Sequence, residues 1–289
     1  MRQGVRHVLQ IVFTALQNGY VTGFLNGRIY RGQGKYFCVP GLNCYSCPGA
    51  LSSCPIGSLQ AVLGSSRYQF SYYIVGILLL FGFLLGRFVC GFLCPFGLVQ
   101  DLLYKIRVPK RELPARIERP LRKLKYVVLL LMVIVLPSLV TNEFGNGSPE
   151  FCKWICPAGT LGGGILLLAA NEQMRTVLGW LFVWKVALLA IILGSSTVVY
   201  RPFCKYLCPL GAFYSLFYKL SLIRMQVDHT ACTHCHACEK QCHMQVDILN
   251  NINSPECIRC GACRQACPHH CIGFTFGLHN SKKKKENSK

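Results

Sequence analysis

Four stretches of the chain are nearly continuous in apolar residues and close to the length of about 20 that a membrane-crossing helix needs. They run over about 8–25, 70–89, 126–140 and 177–200. The second is clean apart from Arg87 near its end. The first carries Gln10, Gln17 and Asn18, the third meets Pro137 near its end, and the fourth holds Lys185. The run Ile165 to Ala170 is too brief to cross and reads as an interfacial or re-entrant helix. Arg2 and Arg6 ahead of the first stretch would also suit a signal peptide. No A-x-A-like site follows, so an uncleaved helix is expected.

Charge orients these spans. Ten Lys or Arg residues lie between Arg87 and Lys125, around the connection between spans two and three. The other connections carry four (Arg28, Arg31, Lys35, Arg67) and two (Lys153, Arg175). Positive loops stay in the cytoplasm. The middle loop and both termini are therefore expected there, in a bacterial cytoplasmic membrane. The net charge of +20 raises nucleic-acid binding, but the basic residues cluster in one loop and in Lys282 to Lys285 rather than forming a stripe interleaved with aromatics. Only 15% of residues are charged, against about 25% in soluble domains. The partner implied is a lipid bilayer, not nucleic acid.

A repeat underlies the pattern. The tetrad Cys-Pro-x-Gly occurs four times, starting at Cys54, Cys94, Cys156 and Cys208. The segments starting at Arg87 (RFVCGFLCPFGLVQDLLYKI) and Arg201 (RPFCKYLCPLGAFYSLFYKL) match at nine of twenty positions. The chain reads as two tandem halves of two spans each, in the same orientation. The fold class expected is mainly α: a four-transmembrane-helix bundle of two tandem two-helix repeats, with a C-terminal α+β ferredoxin-like domain. The units expected are a membrane domain over 1–227, a two-cluster domain over 228–277 and a basic tail over 278–289.

That last domain rests on spacing. Cys232, Cys235, Cys238 and Cys242 follow C-x2-C-x2-C-x3-C, and Cys257, Cys260, Cys263 and Cys267 repeat it, with Pro268 next. This is the spacing of bacterial two-cluster ferredoxins, in which the fourth Cys of each run serves the other cluster. Cys232, Cys235, Cys238 and Cys267 would hold one [4Fe–4S] cluster, and Cys257, Cys260, Cys263 and Cys242 the second. Paired zinc sites also use C-x2-C units, but do not explain two uneven four-Cys runs. His243 stands where Pro is usual. The loop histidines 234, 236, 243, 269 and 270 read as surface, and Cys271 as a packed thiol.

In the membrane half, Pro after each second Cys suits the first turn of a helix. There free N–H groups favour an anionic thiolate. Cys90, Cys94, Cys204 and Cys208 fall on the cytoplasmic side and make the four ligands of one further cluster. Arg87 and Arg201 would either balance and tune its charge or serve as positive-inside anchors. On the outer side Cys152 and Cys156 form a complete pair. Cys54 aligns with Cys156, but Ala50 stands where the partner of Cys152 would be. Cys38, Cys44 and Cys47 could each supply the missing thiol; Cys47, which also precedes a Pro, is the expected fourth member, with Cys44 next in line. A second membrane cluster and disulfides both remain open for this outer set. No phosphate-binding Gly loop, hydrolase triad or paired carboxylates occur, and Glu150, Glu172 and Asp228 stand isolated.

The motifs CGFLCP at Cys90 and CKYLCP at Cys204, with the two four-Cys runs, resemble those of membrane polyferredoxins of the NapH/NosR type, including YccM-like 4Fe-4S proteins. The resemblance covers about Phe70 to Phe276. It implies electron transfer from a cytoplasmic ferredoxin- or flavoprotein-like donor to a membrane or extracytoplasmic acceptor. That acceptor could be a quinone or a separate FMN-binding protein, because the external FMN domain of NosR-like members has no counterpart here. Two other functions use the same residues: reduction of metal in metalloenzyme assembly, and thiol–disulfide transfer across the membrane.

Overall fold

The computed structural model describes residues 3–65, 71–140, 147–171 and 179–277. Arg2, Arg67, Glu172, Arg175 and the basic tail 278–289 lie outside the described residues.

The chain is mainly helical, and its long apolar runs form its long helices. The first is α1 (Gln3–Gln17), followed by the short α2 (Val21–Asn26), so the first expected span breaks at 18–20. The second and fourth become α4 (Tyr72–Leu84) and α11 (Trp180–Val198). The third is the end of a longer rod. Here α7 (Ala115–Val128) continues through a π-helical stretch (Leu129–Val135) into α8 (Leu136–Leu139). Among the described residues α11 alone is both long and apolar enough to cross a membrane; α4 and the 159–170 helix are shorter apolar helices.

Each Cys-Pro tetrad starts a shorter helix. These are α3 (Pro55–Gly64), α6 (Pro95–Tyr104), a π stretch (Gly159–Ile165) leading into α10 (Leu166–Ala170), and α13 (Pro209–Leu216). Three one-turn helices precede the last three tetrads: α5 (Phe88–Phe92), α9 (Glu150–Trp154) and α12 (Pro202–Tyr206). The expected short helix at Ile165 to Ala170 thus begins eight residues earlier, at Pro157. Helix α6 lies against α1 in the opposite direction. Gln17 donates to the Leu93 carbonyl at the start of α6, and Arg6 pairs with Asp101 near its end.

The C-terminal unit contains a two-stranded antiparallel sheet, β1 (Ile223–Val227) and β2 (Ile272–Phe276), with Ile223 opposite Phe276 and Val227 opposite Ile272. Residues 223–227 thus pair with the C-terminal unit just ahead of the boundary expected at 228. Between the strands lie α14 (Ala237–Lys240), α15 (Ile248–Asn251) and α16 (Ala262–Ala266). Met244, Val246 and Ile258 join the buried core of the helical half, so the two parts share one packed seam.

Candidate metal centres

The Cys-Pro-x-Gly tetrads share one geometry. The Cys precedes the helix in extended conformation, Pro takes the first turn, and the Gly N–H points back at the Cys sulfur. Gly159 N lies 3.3 Å from Cys156 Sγ and Gly211 N 3.4 Å from Cys208 Sγ, while Gly57 and Gly97 lie near Cys54 and Cys94 without closing that bond. This is an N-cap in which sulfur accepts from the third helical residue. It suits an anionic sulfur at the positive end of the helix.

The structure brings Cys90, Cys94, Cys204 and Cys208 together. All four are buried and lie within electrostatic reach of one another. Two arginines are exchanged around them. Arg201, from the second half, donates to the Cys90 carbonyl at 2.5 Å and grips both Asp101 oxygens at 2.7 and 2.6 Å. Arg87, from the first half, donates to the Cys204 carbonyl at 3.3 Å and to Glu256 at 2.9 Å. Their side chains are 0% and 2% exposed. Neither guanidinium reaches the protein surface, which favours the charge-balancing reading of Arg87 and Arg201 over the anchor one.

The outer set differs by one member from the expectation. Cys44, Cys54, Cys152 and Cys156 line one cavity of about 920 Å³, together with Gly57, Gly159 and Gly163. Cys47 is not among its lining residues. It sits beside Gly162, behind Cys44. Cys44 rather than the expected Cys47 thus shares the cavity with Cys54, Cys152 and Cys156. Lys185 lines the same cavity and donates to the Cys152 carbonyl at 3.2 Å.

In the C-terminal unit the fourth cysteines cross over as the spacing implied. Cys232, Cys235, Cys238 and Cys267 line one small pocket. Cys242 joins Cys257, Cys260 and Cys263 around another. Left-handed backbone recurs at matched places in the two runs: His234 with Arg259, His236 with Gly261, and Gln245 with His270. Three of the five histidines thus hold turns. His243 instead packs against the Tyr104 and Tyr200 rings at 5.4 and 5.1 Å. Cys271 is buried and brings its sulfur to 3.2 Å from that of Cys267, a proximity that spacing did not reveal. Burial pushes the Cys257 thiol up to about 12, against the opposing N–H of Arg259. Loading with metal must remove that proton.

The sets follow one another closely. The Ile258 carbonyl, next to Cys257, lies 2.6 Å from where a side chain on Gly91, next to Cys90, would begin. The inner and outer sets are joined by residues 40–44. Leu42 lines the outer cavity, and its backbone lies close enough to Cys94 to favour the thiolate there. The Tyr214 hydroxyl donates to the Pro40 carbonyl at 2.9 Å, and its buried ring lies within electrostatic reach of Cys90, Cys94, Cys208 and Cys54.

A family model described as "4Fe-4S binding domain" matches three times, at residues 69–114, 126–170 and 180–226. Each match joins an apolar helix to the C-x3-C-P pair after it. The ferredoxin-type protein NapH of Haemophilus influenzae is 30% identical over 71% of this chain and 68% of its own length. An uncharacterized protein of Methanocaldococcus jannaschii is 31% identical over 68% of this chain and 74% of its own. The chain belongs to the NapH/NosR-type polyferredoxins. The regulatory protein NosR of Pseudomonas aeruginosa is 32% identical over 70% of this chain, but that covers only 26% of NosR. No solved structure matches. This polyferredoxin is a 4Fe-4S protein with an electron-transport role.

Its own residues fit anionic clusters. Arg6, Arg87, Lys125, Arg201 and Lys205 are buried near the inner set, against three buried carboxylates, Asp101, Glu118 and Glu256. Each carboxylate is bracketed by two cations, such as Asp101 by Arg6 and Arg201. A buried charge without a partner is costly, and thiolates with a cluster supply the missing negative charge. Cys90, Cys94, Cys204 and Cys208 would hold one cluster, and the two crossed sets in the C-terminal unit one each. The sequence reading missed Gln60, Gln100, Tyr214 and the three carboxylates. The signal for the glutamines was present: both stand six residues after a tetrad Cys.

Proposed function

We propose that this polyferredoxin spans the membrane four times, with both termini in the cytoplasm, and relays electrons between a cytoplasmic donor and an extracytoplasmic acceptor. One observation carries this reading: the four groups of cysteines form a continuous series, from the C-terminal unit through the inner set to the outer one. A hydrocarbon core of about 30 Å is too wide for one hop. Residues 40–44, touching both membrane sets, support a shorter path. The spans are α1, α4, the α7–α8 rod and α11, with the Arg87 to Lys125 region on the cytoplasmic side.

When bound, a [4Fe–4S] cluster supplies one-electron transfer at a potential set by nearby charge, hydrogen bonds and exposure. The chain does the rest. The tetrad glycines and buried arginines stabilise negative charge on the sulfurs. The seam from Gly91 to Ile258 keeps the C-terminal unit against Cys90 and excludes water from it. The same family model matching around Cys152 and Cys156 as around Cys90 and Cys204 supports a fourth cluster, on Cys44, Cys54, Cys152 and Cys156. The donor would be a ferredoxin- or flavoprotein-like protein, and the acceptor a quinone or an FMN-binding protein.

The test is iron and acid-labile sulfide per chain after anaerobic purification. Four clusters of four irons give about sixteen. The double variant Cys152→Ser/Cys156→Ser should hold about twelve. Unchanged iron in that variant would sink the transmembrane version and leave electron transfer at the inner face alone.

A further inference from the structure

Two buried glutamines outside every Cys motif make the same unusual contact. Gln60 on α3 places Nε2 3.3 Å from Cys152 Sγ, and Gln100 on α6 places Nε2 3.1 Å from Cys204 Sγ. Both side chains are wholly buried. Each Nε2 also faces the carbonyl one turn back on its own helix, Ile56 at 3.2 Å and Phe96 at 3.5 Å. Each glutamine stands in the first half of the chain and reaches the first Cys of a C-x3-C-P pair in the second half. The corresponding second-half positions are Gly162 and Tyr214, so the contact is made once per set. In the outer set the glutamine is also aimed from its other end, since Gln60 Oε1 accepts from Phe151 N at 3.0 Å. Among the described residues Gln100 Oε1 has no hydrogen-bond partner.

We infer that Gln60 and Gln100 are matched positioning residues, each donating an N–H to one cluster-ligating sulfur across the interface between halves and thereby raising the reduction potential of that site alone. The inference rests on the function proposed above. A hydrogen bond to sulfur favours the more negative, reduced state, so removing it shifts the potential downward. The neutral amide does this without adding a cation, which matters for the outer set, where Lys185 is the basic residue lining the cavity.

The experiment is an EPR-monitored redox titration of the full chain in detergent, for the parent, Gln100→Met and Gln60→Met. The signal absent from Cys152→Ser/Cys156→Ser identifies the outer site. Each Met variant, nearly equal in volume, should keep the iron content of the parent and shift one potential downward, Gln100→Met the inner and Gln60→Met the outer. Gln60→Glu and Gln100→Glu are the second pair: they keep the shape but put carboxylate oxygen in place of the N–H, and should lower the same potential at least as far. Unchanged potentials in variants with full iron overturn the inference and leave the electron relay intact. A parent chain with only about eight irons, the C-terminal clusters alone, overturns both.

Discussion

Arg87 and Glu256 meet at 2.9 Å inside the seam between the helical half and the C-terminal unit, and Lys125 closes on the same carboxylate at 2.5 Å. The pair lies 169 residues apart in sequence, so it reports whether the unit is docked. Burial alone would raise the Glu256 carboxyl, but Arg87 and then Lys125 outweigh it and hold it below the usual carboxylate range. A depressed carboxyl stabilises the fold fully above its unfolded value of about 4.3 and loses that contribution as pH falls through the lower folded value. Glu256→Gln should destabilise docking by about 3–5 kcal/mol, the usual cost of breaking a buried pair. It should also flatten the loss of stability below about pH 4. Limited proteolysis between 217 and 222, followed across pH in parent and variant, checks both. Identical acid profiles would mean that the pair does not hold the seam.

The outer set separates two neighbouring cysteines. Cys44 lines the cavity with Cys54, Cys152 and Cys156, whereas Cys47 faces Gly162. Cys44→Ser should therefore lower iron by about four per chain, one cubane, while Cys47→Ser leaves it unchanged. The reverse result would restore the order expected from the sequence.

That contrast marks where the sequence was legible. Long apolar runs and the tetrads announce themselves as helices, because an apolar run of that length suits a helix and Pro suits its first turn. The crossed grouping of Cys242 and Cys267 was legible too, from the spacing shared with bacterial two-cluster ferredoxins. Loop direction was not: nothing local distinguishes Cys44 from Cys47, and the nearby Pro48 favoured Cys47, which lies outside the cavity lining. The strand β1 was lost in the apolar stretch before Asp228, because its partner Ile272–Phe276 lies far along the chain. The helix after Cys156 was read too short because Gly162, Gly163 and Gly164 hide its first turns. Arg87 and Arg201 read equally well as surface anchors until burial and their cross-half carbonyls were visible.

The link between the membrane sets depends on a residue without a side chain. A Cβ on Gly41 would lie 2.9 Å from the Leu93 carbonyl, 3.1 Å from Cys94 Cα and 3.2 Å from Pro95 Cδ. These are backbone and ring atoms at the start of α6, so they cannot turn aside as a flexible side chain would. Gly41→Ala should thus push residues 40–44 away from Cys94, at a cost of about 1–3 kcal/mol for overpacking. The Leu42 backbone would move away from Cys94, and the Tyr214 bond to Pro40 would lengthen. Iron bound by the membrane half should fall at both sets, while the C-terminal clusters persist. Gly76→Ala and Gly194→Ala are the controls: both glycines lie in apolar helices with open space where the methyl would go. Alanine there favours the helix by up to about 1 kcal/mol and should leave iron unchanged. Thermal unfolding in detergent with iron analysis compares the three variants. Equal iron in all three would show that Gly41 does not hold the two sets together.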